Sequence, residues 1–472
     1  MSKIIVDLHT ALHPTNSHII GANRNHLSDE LNLAGKMEAY REIQPKFAQQ
    51  RKLYRLGHGP TDGRLDEPHT YMTGYHFEEY WGRAGDYPYD DIRYGLNEAK
   101  AMDCDLTIVV NYGSGTPEEA GRLVSYLNKA DDPTRLSHGD EPWNVTYFEL
   151  GNEVTWRLQV GHDPYCLSPD IYAKRAKEFA REMRRNSDIP IKIGMVASIN
   201  GNWLNDHWDN DESGDRLHNL EPFFEYMGED LDFVIYHGYP EFLDSDTGIM
   251  ASNHWFTDKL TRKIIPTLRD LEQKYALSHP VDIANSEFFT AGYGNTHHQD
   301  MLEALYTADT MTTCINLNII MAVGFCFSFN TDSHAIAQDL FFLEGDPQKP
   351  SALFRIHELT AQFLGETVLA ARAENLPTFP RPEVDGGQVP GLSYSATRRA
   401  DSKVCLMVTN RTEDAITTEI DWGTAPLAVQ MTTLNGGAFD NKYPTLDTTT
   451  LSAPDVTFPA ASVSYLLAEW DA

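Results

Sequence analysis

The sequence predicts an α/β protein: a (β/α)8 TIM barrel with a C-terminal antiparallel β-sandwich or jelly-roll domain. Two patterns support this fold class. Between about residues 17 and 365, short apolar runs alternate with longer amphipathic segments. Beyond that region, single apolar and polar residues alternate within short runs. The first pattern is typical of buried parallel strands that alternate with helices, and the second is typical of strands with one buried face.

Eight apolar runs are the candidate strands of the barrel. They occupy residues 18–23, 53–59, 105–113, 145–153, 191–198, 231–239, 281–289 and 322–330. The segments at 116–130 and 168–187 begin with Thr-Pro and Ser-Pro, which favour the first turn of a helix. Eight strand–helix units match a closed barrel. A doubly wound open sheet is the alternative, but no glycine-rich phosphate-binding turn follows the first strand.

The pattern changes after the helix-like segment 350–369, where alternating runs are separated by Gly, Asp, Asn and Pro. This pattern predicts antiparallel β structure. The first residues, KIIVDLHTAL, alternate in the same way, so we expect the N-terminal strand to join the same sheet. The predicted domains are a catalytic barrel over residues 16–365 and an accessory β domain made of residues 1–15 and 366–472.

The composition excludes several classes of partner. The chain has 69 acidic and 38 basic residues, a formal charge of -31, so it repels polyanions and we expect no nucleic-acid partner. Its five cysteines are scattered without Cys-x-x-Cys spacing, so we expect neither a disulfide framework nor a metal or other cofactor. The sequence lacks an apolar run long enough to span a membrane. Because the N-terminus lacks a secretory pattern, we expect a cytoplasmic protein, or a secreted one whose export signal is missing from this sequence.

Two glutamates lie at or near the ends of candidate strands whose C-terminal ends would meet at one end of the barrel. Glu153 is the last residue of the fourth strand and Glu287 lies two residues before the end of the seventh, and catalytic groups of TIM barrels lie at such ends. Paired carboxylates suit glycoside hydrolysis, in which one attacks the anomeric carbon and the other protonates the leaving oxygen. Their carboxyl groups lie about 5–5.5 Å apart in retaining enzymes and about 6.5–9.5 Å apart in inverting ones.

The motifs around these glutamates resemble a known group of enzymes. FELGNE and ANSEFF resemble the Asn-Glu and Glu signatures of clan A glycoside hydrolases. Family 39 and family 79 of that clan share them. Segments similar to family 51 α-L-arabinofuranosidases are VVNYGSGTPEEAGRLVSYLN, LYRLGHG, PSALFRIHELTAQFLG and LNGGAFDNKYP. The resemblance covers the whole architecture, while its specific motifs cover short parts of the chain.

The resemblance implies roles for four residues of these motifs. Glu153 would be the acid/base and Glu287 the nucleophile. Asn152 would hydrogen-bond the sugar 2-hydroxyl, and this bond would strengthen in the transition state. Arg55 would keep the nucleophile ionised and oriented.

Further residues are candidates for substrate binding. Asn111 matches an asparagine that lines the pocket in the resembled family, and His237 or Tyr239 would support the nucleophile. Trp203 offers an aromatic face for a sugar ring. One position departs from family 51: Asn25, within GANRNHL, stands where the family has a glutamate that touches the terminal sugar. That departure predicts a remodelled subsite.

The predicted function is a retaining glycoside hydrolase that acts on oligosaccharides or polysaccharides and resembles α-L-arabinofuranosidases. One alternative is an endo- or exo-acting β-glycosidase of the same clan. A second is a catalytically silent carbohydrate-binding barrel, although both carboxylates are present. A third is metal-dependent hydrolysis, for which the pair His297 and His298 lacks an evident third ligand. Family 51 enzymes are often oligomers, so the resemblance also implies a homo-oligomer.

Overall fold

The computed structural model describes residues 2–24, 33–46, 50–56, 92–113, 115–154, 168–197, 217–242, 245–290, 299–325, 342–343, 346–381 and 387–470. The chain begins with strand β1 (Lys3–Pro14) and then forms a closed, all-parallel barrel of eight strands. These are β2 (His18–Arg24), β3 (Lys52–Leu56), β4 (Cys104–Val110), β5 (Tyr147–Leu150), β6 (Lys192–Val196), β7 (Phe233–Gly238), β8 (Asp282–Phe288) and β9 (Met321–Gly324). Each predicted strand overlaps one of them, which confirms the barrel.

One or two helices follow each barrel strand along the chain. They are α1 (Leu33–Glu42), α2 (Ile92–Ala101), α3 (Pro117–Asn128), α4 (Pro133–His138), α5 (Pro169–Arg185), α6 (Glu221–Met227), α7 (Asp246–Lys259), α8 (Ile265–Lys274), α9 (Met301–Asn316) and α10 (Ala352–Phe363). A π-helical turn, Leu260–Ile264, joins α7 to α8. The two predicted helix starts are capped, because the hydroxyls of Thr116 and Ser168 accept hydrogen bonds from the backbone of the first turn.

The barrel strands are buried along most of their length. Every residue of β2 and of β3 is buried, as are the last six residues of β8. Helices cover the outer face of such a barrel and side chains fill its interior, so strands with two buried faces read as continuous apolar runs. Each fully buried large apolar side chain contributes about 1.5–3 kcal/mol. Polar residues within these runs need hydrogen-bond or ion-pair partners, because a buried polar group without one is destabilising.

The C-terminal part forms a nine-stranded sheet in the order β19-β18-β21-β16-β15-β12-β1-β17-β20. A hairpin, β10 (Phe342–Leu343) with β11 (Asp346–Pro350), precedes it. The other strands are β12 (Thr367–Glu374), β13 (Thr378–Pro380), β14 (Gln388–Pro390), β15 (Leu392–Arg398), β16 (Val404–Asn410), β17 (Ile416–Asp421), β18 (Ala428–Asn435), β19 (Thr445–Leu451), β20 (Asp455–Phe458) and β21 (Ser462–Glu469). Of these, β13 and β14 pair separately.

The sheet is antiparallel except where β1 runs parallel to β17. On its other side β1 pairs with β12. The predicted β domain is therefore confirmed, and the N-terminal strand lies within its sheet. The domain limits, 16–365 for the barrel and 1–15 plus 366–472 for the β domain, stay predictions.

The sheet separates two apolar cores. Along β16, Val404 and Leu406 belong to the core of the sheet domain, whereas Cys405 and Met407 pack into the core that continues into the barrel. Because successive side chains of a strand point to opposite faces, one strand serves both cores. Burial raises the pKa of the Cys405 thiol to about 12, so this cysteine acts as a small apolar side chain.

A buried ion pair joins the two domains, and we call it the joint. Arg411, directly after β16, donates from Nε and Nη2 to the carboxylate of Asp309 on α9, at 2.9 and 2.6 Å. Its Nη1 donates to the carbonyl of Pro390 at 3.2 Å. Among the described residues, no helix is both long and apolar enough to cross a membrane.

Candidate active site

The mouth of the barrel, where the C-terminal ends of its strands meet, holds the predicted catalytic residues. Glu153 lies in a turn directly after β5. That turn has positive φ angles at Gly151 (82°) and at Glu153 (43°). A Cβ atom at Gly151 would lie 2.7 Å from the side chain of Val154, so the turn requires glycine there. A glutamate with positive φ is strained, by about 1 kcal/mol or more, as residues at functional sites often are.

Glu287 lies on β8, where the strand carries an extra residue. Tyr236 of β7 pairs with Asn285, but the next residue, His237, pairs with Glu287, so Ser286 is skipped. Such a bulge re-aims side chains. Because of the bulge, the side chains of the successive residues Ser286 and Glu287 both contact the same group of buried polar residues inside the barrel.

The two glutamates approach each other closely. One carboxylate oxygen of Glu153, one of Glu287 and a ring nitrogen of His237 all lie within 4.8 Å of one another. A retaining enzyme has its carboxyl groups about 5–5.5 Å apart, whereas an inverting enzyme needs about 6.5–9.5 Å to place a water between carboxylate and sugar. The observed spacing matches the retaining arrangement.

Three side chains donate hydrogen bonds to the carboxylate of Glu287. Arg55 Nη1 and Asn23 Nδ2 donate to Oε2, at 3.2 and 3.4 Å, and the Tyr239 hydroxyl donates to Oε1. Arg55 is fully buried. Burial disfavours its charge, but the carboxylates of Glu149 and Glu287 outweigh this and raise the pKa of Arg55. A permanent positive charge and two further donors stabilise the anionic form that a nucleophile needs.

Glu153 has a different neighbour. Its Oε1 lies 2.9 Å from Nδ1 of His237, and the same nitrogen lies 3.8 Å from Glu287. Burial lowers the pKa of His237, but the charge of Glu287 and the hydrogen bond with Glu153 outweigh it and raise the pKa above its usual value. The sequence placed His237 or Tyr239 beside the nucleophile. Tyr239 makes that contact, whereas the close partner of His237 is Glu153.

A fully buried carboxylate at Glu149 is a site residue that our sequence reasoning missed. Arg55 Nε lies 3.1 and 3.0 Å from its two oxygens, and Arg55 Nη2 lies 2.9 Å from Oε2. Thr107 donates to Oε1 at 3.2 Å and Ser286 to Oε2 at 3.0 Å. The available signal was a glutamate inside an otherwise apolar strand, since such a charge needs a buried partner.

Several buried amides have atoms without hydrogen-bond partners in the described part of the chain, and two of these amides lie beside the predicted catalytic residues. Asn152 Oδ1 accepts from Arg55 Nη2 at 2.9 Å, while its Nδ2 has no partner there. Asn23 Oδ1 is likewise unsatisfied. Leaving a buried polar group unpaired costs about 1–3 kcal/mol. Both atoms are adjacent to groups that contact Glu287, so they are available to a ligand in the mouth.

The remaining predicted site residues have less structural support. Asn111 directly follows β4 and is buried, which places it at the same end of the barrel. Asn25, Trp203, His297 and His298 lie outside the described residues.

The set Glu153, His237 and Glu287 contains metal-ligand types and is the one such group among the described residues. Their donor atoms are already hydrogen-bonded to one another or to Tyr239 and Arg55. The guanidinium beside Glu287 also opposes a second cation at that position. The arrangement therefore fits a pair of reactive carboxylates better than a metal centre.

Comparison with known proteins adds the relatives of this fold. No protein-family model matches the chain. The intracellular exo-α-(1→5)-L-arabinofuranosidase of Acetivibrio thermocellus is 24% identical over 226 residues, which are 44% of this chain and 40% of that protein. A probable α-L-arabinofuranosidase C of Aspergillus niger is 29% identical over 94 residues, 19% of this chain and 18% of that protein. The matched part thus spans less than half of each of these relatives.

Solved structures match along nearly the whole chain. An α-L-arabinofuranosidase from Thermotoga maritima, in complex with arabinose, has a TM-score of 0.75 at 20% identity, with 99% of both chains covered. A family 51 α-L-arabinofuranosidase from Bifidobacterium longum has a TM-score of 0.76 at 15% identity, again covering 99% of each. A family 44 xyloglucanase from Paenibacillus polymyxa has a TM-score of 0.64 at 12% identity and covers 99% of each chain. The resemblance in fold to family 51 arabinofuranosidases, predicted from the sequence, is thereby confirmed.

Proposed function

We propose that this protein is a retaining glycoside hydrolase of the arabinofuranosidase type, which acts on oligosaccharides or polysaccharides. The observation that carries the proposal is the pair of carboxylates in the mouth, with oxygens of Glu153 and Glu287 within 4.8 Å of each other. The names of the relatives support the sugar class, because both curated proteins are described as arabinofuranosidases. The relative from A. thermocellus is named intracellular, which supports a cytoplasmic location for this chain.

In the first half of the reaction, Glu287 attacks the anomeric carbon and the glycosidic bond breaks. Arg55, Asn23 and Tyr239 hold the attacking carboxylate by hydrogen bonds. Glu153 gives its proton to the leaving oxygen, so the departing sugar leaves as a neutral alcohol. Asn152 Nδ2, which has no hydrogen-bond partner among the described residues, is placed to donate to a hydroxyl of the bound sugar. The resemblance to clan A implies that this is the 2-hydroxyl.

In the second half, water cleaves the ester between Glu287 and the sugar. Glu153 now accepts a proton from this water, and the restored carboxylate of Glu287 leaves the anomeric carbon. His237 contacts Glu153 at 2.9 Å. A hydrogen bond donated by this ring nitrogen would favour the anionic form of Glu153 that this step requires. Two displacements at one carbon retain the anomeric configuration.

The test is to replace Glu287 with alanine and to follow hydrolysis of 4-nitrophenyl α-L-arabinofuranoside. We expect loss of activity on the order of 10⁴-fold or more. Added azide should restore release of nitrophenol, because the small anion occupies the place of the carboxylate, and should give a glycosyl azide of inverted configuration. Glu178→Ala, on the exposed face of α5, is the matched control and should keep wild-type activity. Wild-type activity in Glu287→Ala, or an inverted product from the wild-type enzyme, would contradict the proposal.

A second candidate is a β-glycosidase of the same clan. It is supported by the family 44 xyloglucanase and by a bifunctional glucanase-xylanase, CelM2, with a TM-score of 0.63, 13% identity, and 100% and 99% of the two chains covered. Aryl β-xylosides and β-glucosides, compared with the arabinofuranoside under equal conditions, separate the two. A higher kcat/KM on a β-pyranoside would identify the β-pyranoside, and not the arabinofuranoside, as the preferred substrate class. The two-glutamate chemistry would be the same in both cases.

A further inference from the structure

Glu149 is a buried carboxylate that the two-glutamate reaction does not use. It lies on β5 and is fully shielded from solvent. Taking a carboxylate out of water is costly unless it is paired and hydrogen-bonded. Replacing such an ion pair by apolar residues is often neutral or stabilising, so the pair by itself is weak support for a stabilising role. Its place beside the reactive groups indicates another role.

We propose that Glu149 is a positioning residue for the nucleophile: it fixes the guanidinium of Arg55 and offsets part of its charge. The inference rests on the proposed function for its catalytic consequence. The contacts that support it are those of Arg55, whose Nε and Nη2 face Glu149. Because Glu149 holds the Nε/Nη2 edge of the guanidinium, Nη1 points to Glu287 and donates to it. Nη2 also donates to Asn152.

The carboxylate of Glu149 is itself fixed on both sides. Thr107 donates to one oxygen from β4, and Ser286 donates to the other from β8. Ser286 is the bulge residue directly before Glu287. One chain of hydrogen bonds therefore links β4, β5 and β3 to the strand that carries the nucleophile. A planar, bidentate guanidinium–carboxylate pair transmits orientation well, because its hydrogen bonds fix the plane of the guanidinium.

Charge gives the second part of the inference. Arg55 is in contact with two carboxylates, Glu149 and Glu287, and His237 and Glu153 lie beyond Glu287. If Glu149 were neutral, the whole charge of Arg55 would act on Glu287. An over-stabilised carboxylate is a weaker nucleophile, and the ester that it forms loses that ion pair. Glu149 thus lets Arg55 orient Glu287, while it weakens the stabilisation of the Glu287 carboxylate by the charge of Arg55.

Glu149→Gln tests the role of the charge, since it keeps the shape and one acceptor oxygen. We expect kcat to fall about 10- to 100-fold with a smaller change in KM. We also expect the pH profile of kcat/KM to move to lower pH, because a negative charge is lost beside ionisable groups. Glu149→Asp keeps the charge but shortens the reach to Arg55. It should lower kcat without moving the profile, which separates orientation from charge.

An activity-independent readout is the titration of His237, followed by NMR in uniformly labelled protein and assigned with His237→Gln. The charge of Arg55 opposes the rise in the pKa of His237, so this pKa should fall when Glu149→Gln removes the carboxylate that offsets the charge of Arg55. If the wild-type protein cleaves no glycoside, the proposed function fails, while this titration still tests Glu149.

Asp309→Asn at the joint is the matched control, since it neutralises another buried partner of an arginine. It should leave both the His237 titration and the pH profile unchanged. An unmoved profile and titration in Glu149→Gln, or wild-type kcat in Glu149→Asp, would overturn the inference and leave Glu149 a structural residue. If the glutamine variant fails to fold, the aspartate variant decides.

Discussion

The mouth of the barrel and the joint both bury an arginine against a carboxylate, but only the joint is complete within the described chain. At the joint, Arg411 has a single carboxylate partner, Asp309, with a backbone carbonyl as a third acceptor. At the mouth, Arg55 faces two carboxylates and an amide, and nearby amide atoms have no partner in the described part. A closed ion pair suits a permanent contact, whereas an excess of acceptors and open amides suits a site that binds and transforms a ligand.

The pKa values of the histidines near the two regions are shifted in opposite directions. At the mouth, burial is outweighed by the carboxylates of Glu287 and Glu153, which raise the pKa of His237. Near the joint, burial and the positive charge of Arg411 lower the pKa of His254 to about 4. Burial lowers the pKa of both residues, although His254 is only half-buried, so the sign of the local charge decides the difference between them. The charges at the mouth favour the protonated form of His237, and burial together with Arg411 disfavours the protonated form of His254.

The largest expected effect concerns Glu153, the proposed acid/base at the mouth. Glu153→Ala should lower kcat/KM by about 10²–10⁴-fold on substrates with poor leaving groups, because these need the proton that Glu153 supplies. On aryl glycosides with very acidic phenols, which need no proton, the loss should be much smaller. The measurement is a series of aryl glycosides that differ in the pKa of the phenol. An equal loss across the series would remove Glu153 from the role of acid.

At the joint, the corresponding change should affect stability and leave chemistry intact. Asp309→Asn leaves the buried Arg411 without its counter-charge, and breaking such a pair costs about 3–5 kcal/mol. We expect a lower midpoint of thermal unfolding with unchanged kcat below that temperature. Arg411→Met together with Asp309→Leu replaces both charges by apolar groups and should recover much of the stability. Loss of kcat in folded Asp309→Asn would show that the joint and the mouth are coupled.

The two regions also show which features of the structure could be predicted from the sequence and which could not. The barrel strands and the position of the two glutamates at the mouth were predictable, because buried parallel strands leave continuous apolar runs, Glu153 ends one of them and Glu287 lies near the end of another. Glu149 was missed because its partner, Arg55, lies 94 positions away on another strand. The bulge at Ser286 leaves no pattern in the sequence, yet it directs two successive side chains into the same cluster. Long-range pairing and local register are set by the closed barrel.

The smallest expected effect is a pair of opposite pH dependences of stability. The pKa of His254 in the folded protein is about 4, below the 6.5 of the unfolded chain. Between these values the unfolded state binds more protons, so stability falls as the pH falls from 6.5 toward 4. The pKa of His237 is raised in the folded protein, so its contribution is fully present below pH 6.5 and is lost as the pH rises through the folded value.

The two opposite pH dependences can be measured separately in His254→Gln and His237→Gln. For each variant and for wild type, the free energy of unfolding is determined in urea between pH 8 and pH 4.5. Relative to wild type, His254→Gln should gain roughly 2 kcal/mol as the pH falls, less than the full linkage because the side chain is only partly buried. His237→Gln should show the reverse trend, with its largest deficit at low pH. If both variants shift stability in the same direction with pH, local charge does not distinguish the two regions, and the pairing of His237 with Glu153 and Glu287 contributes nothing to stability.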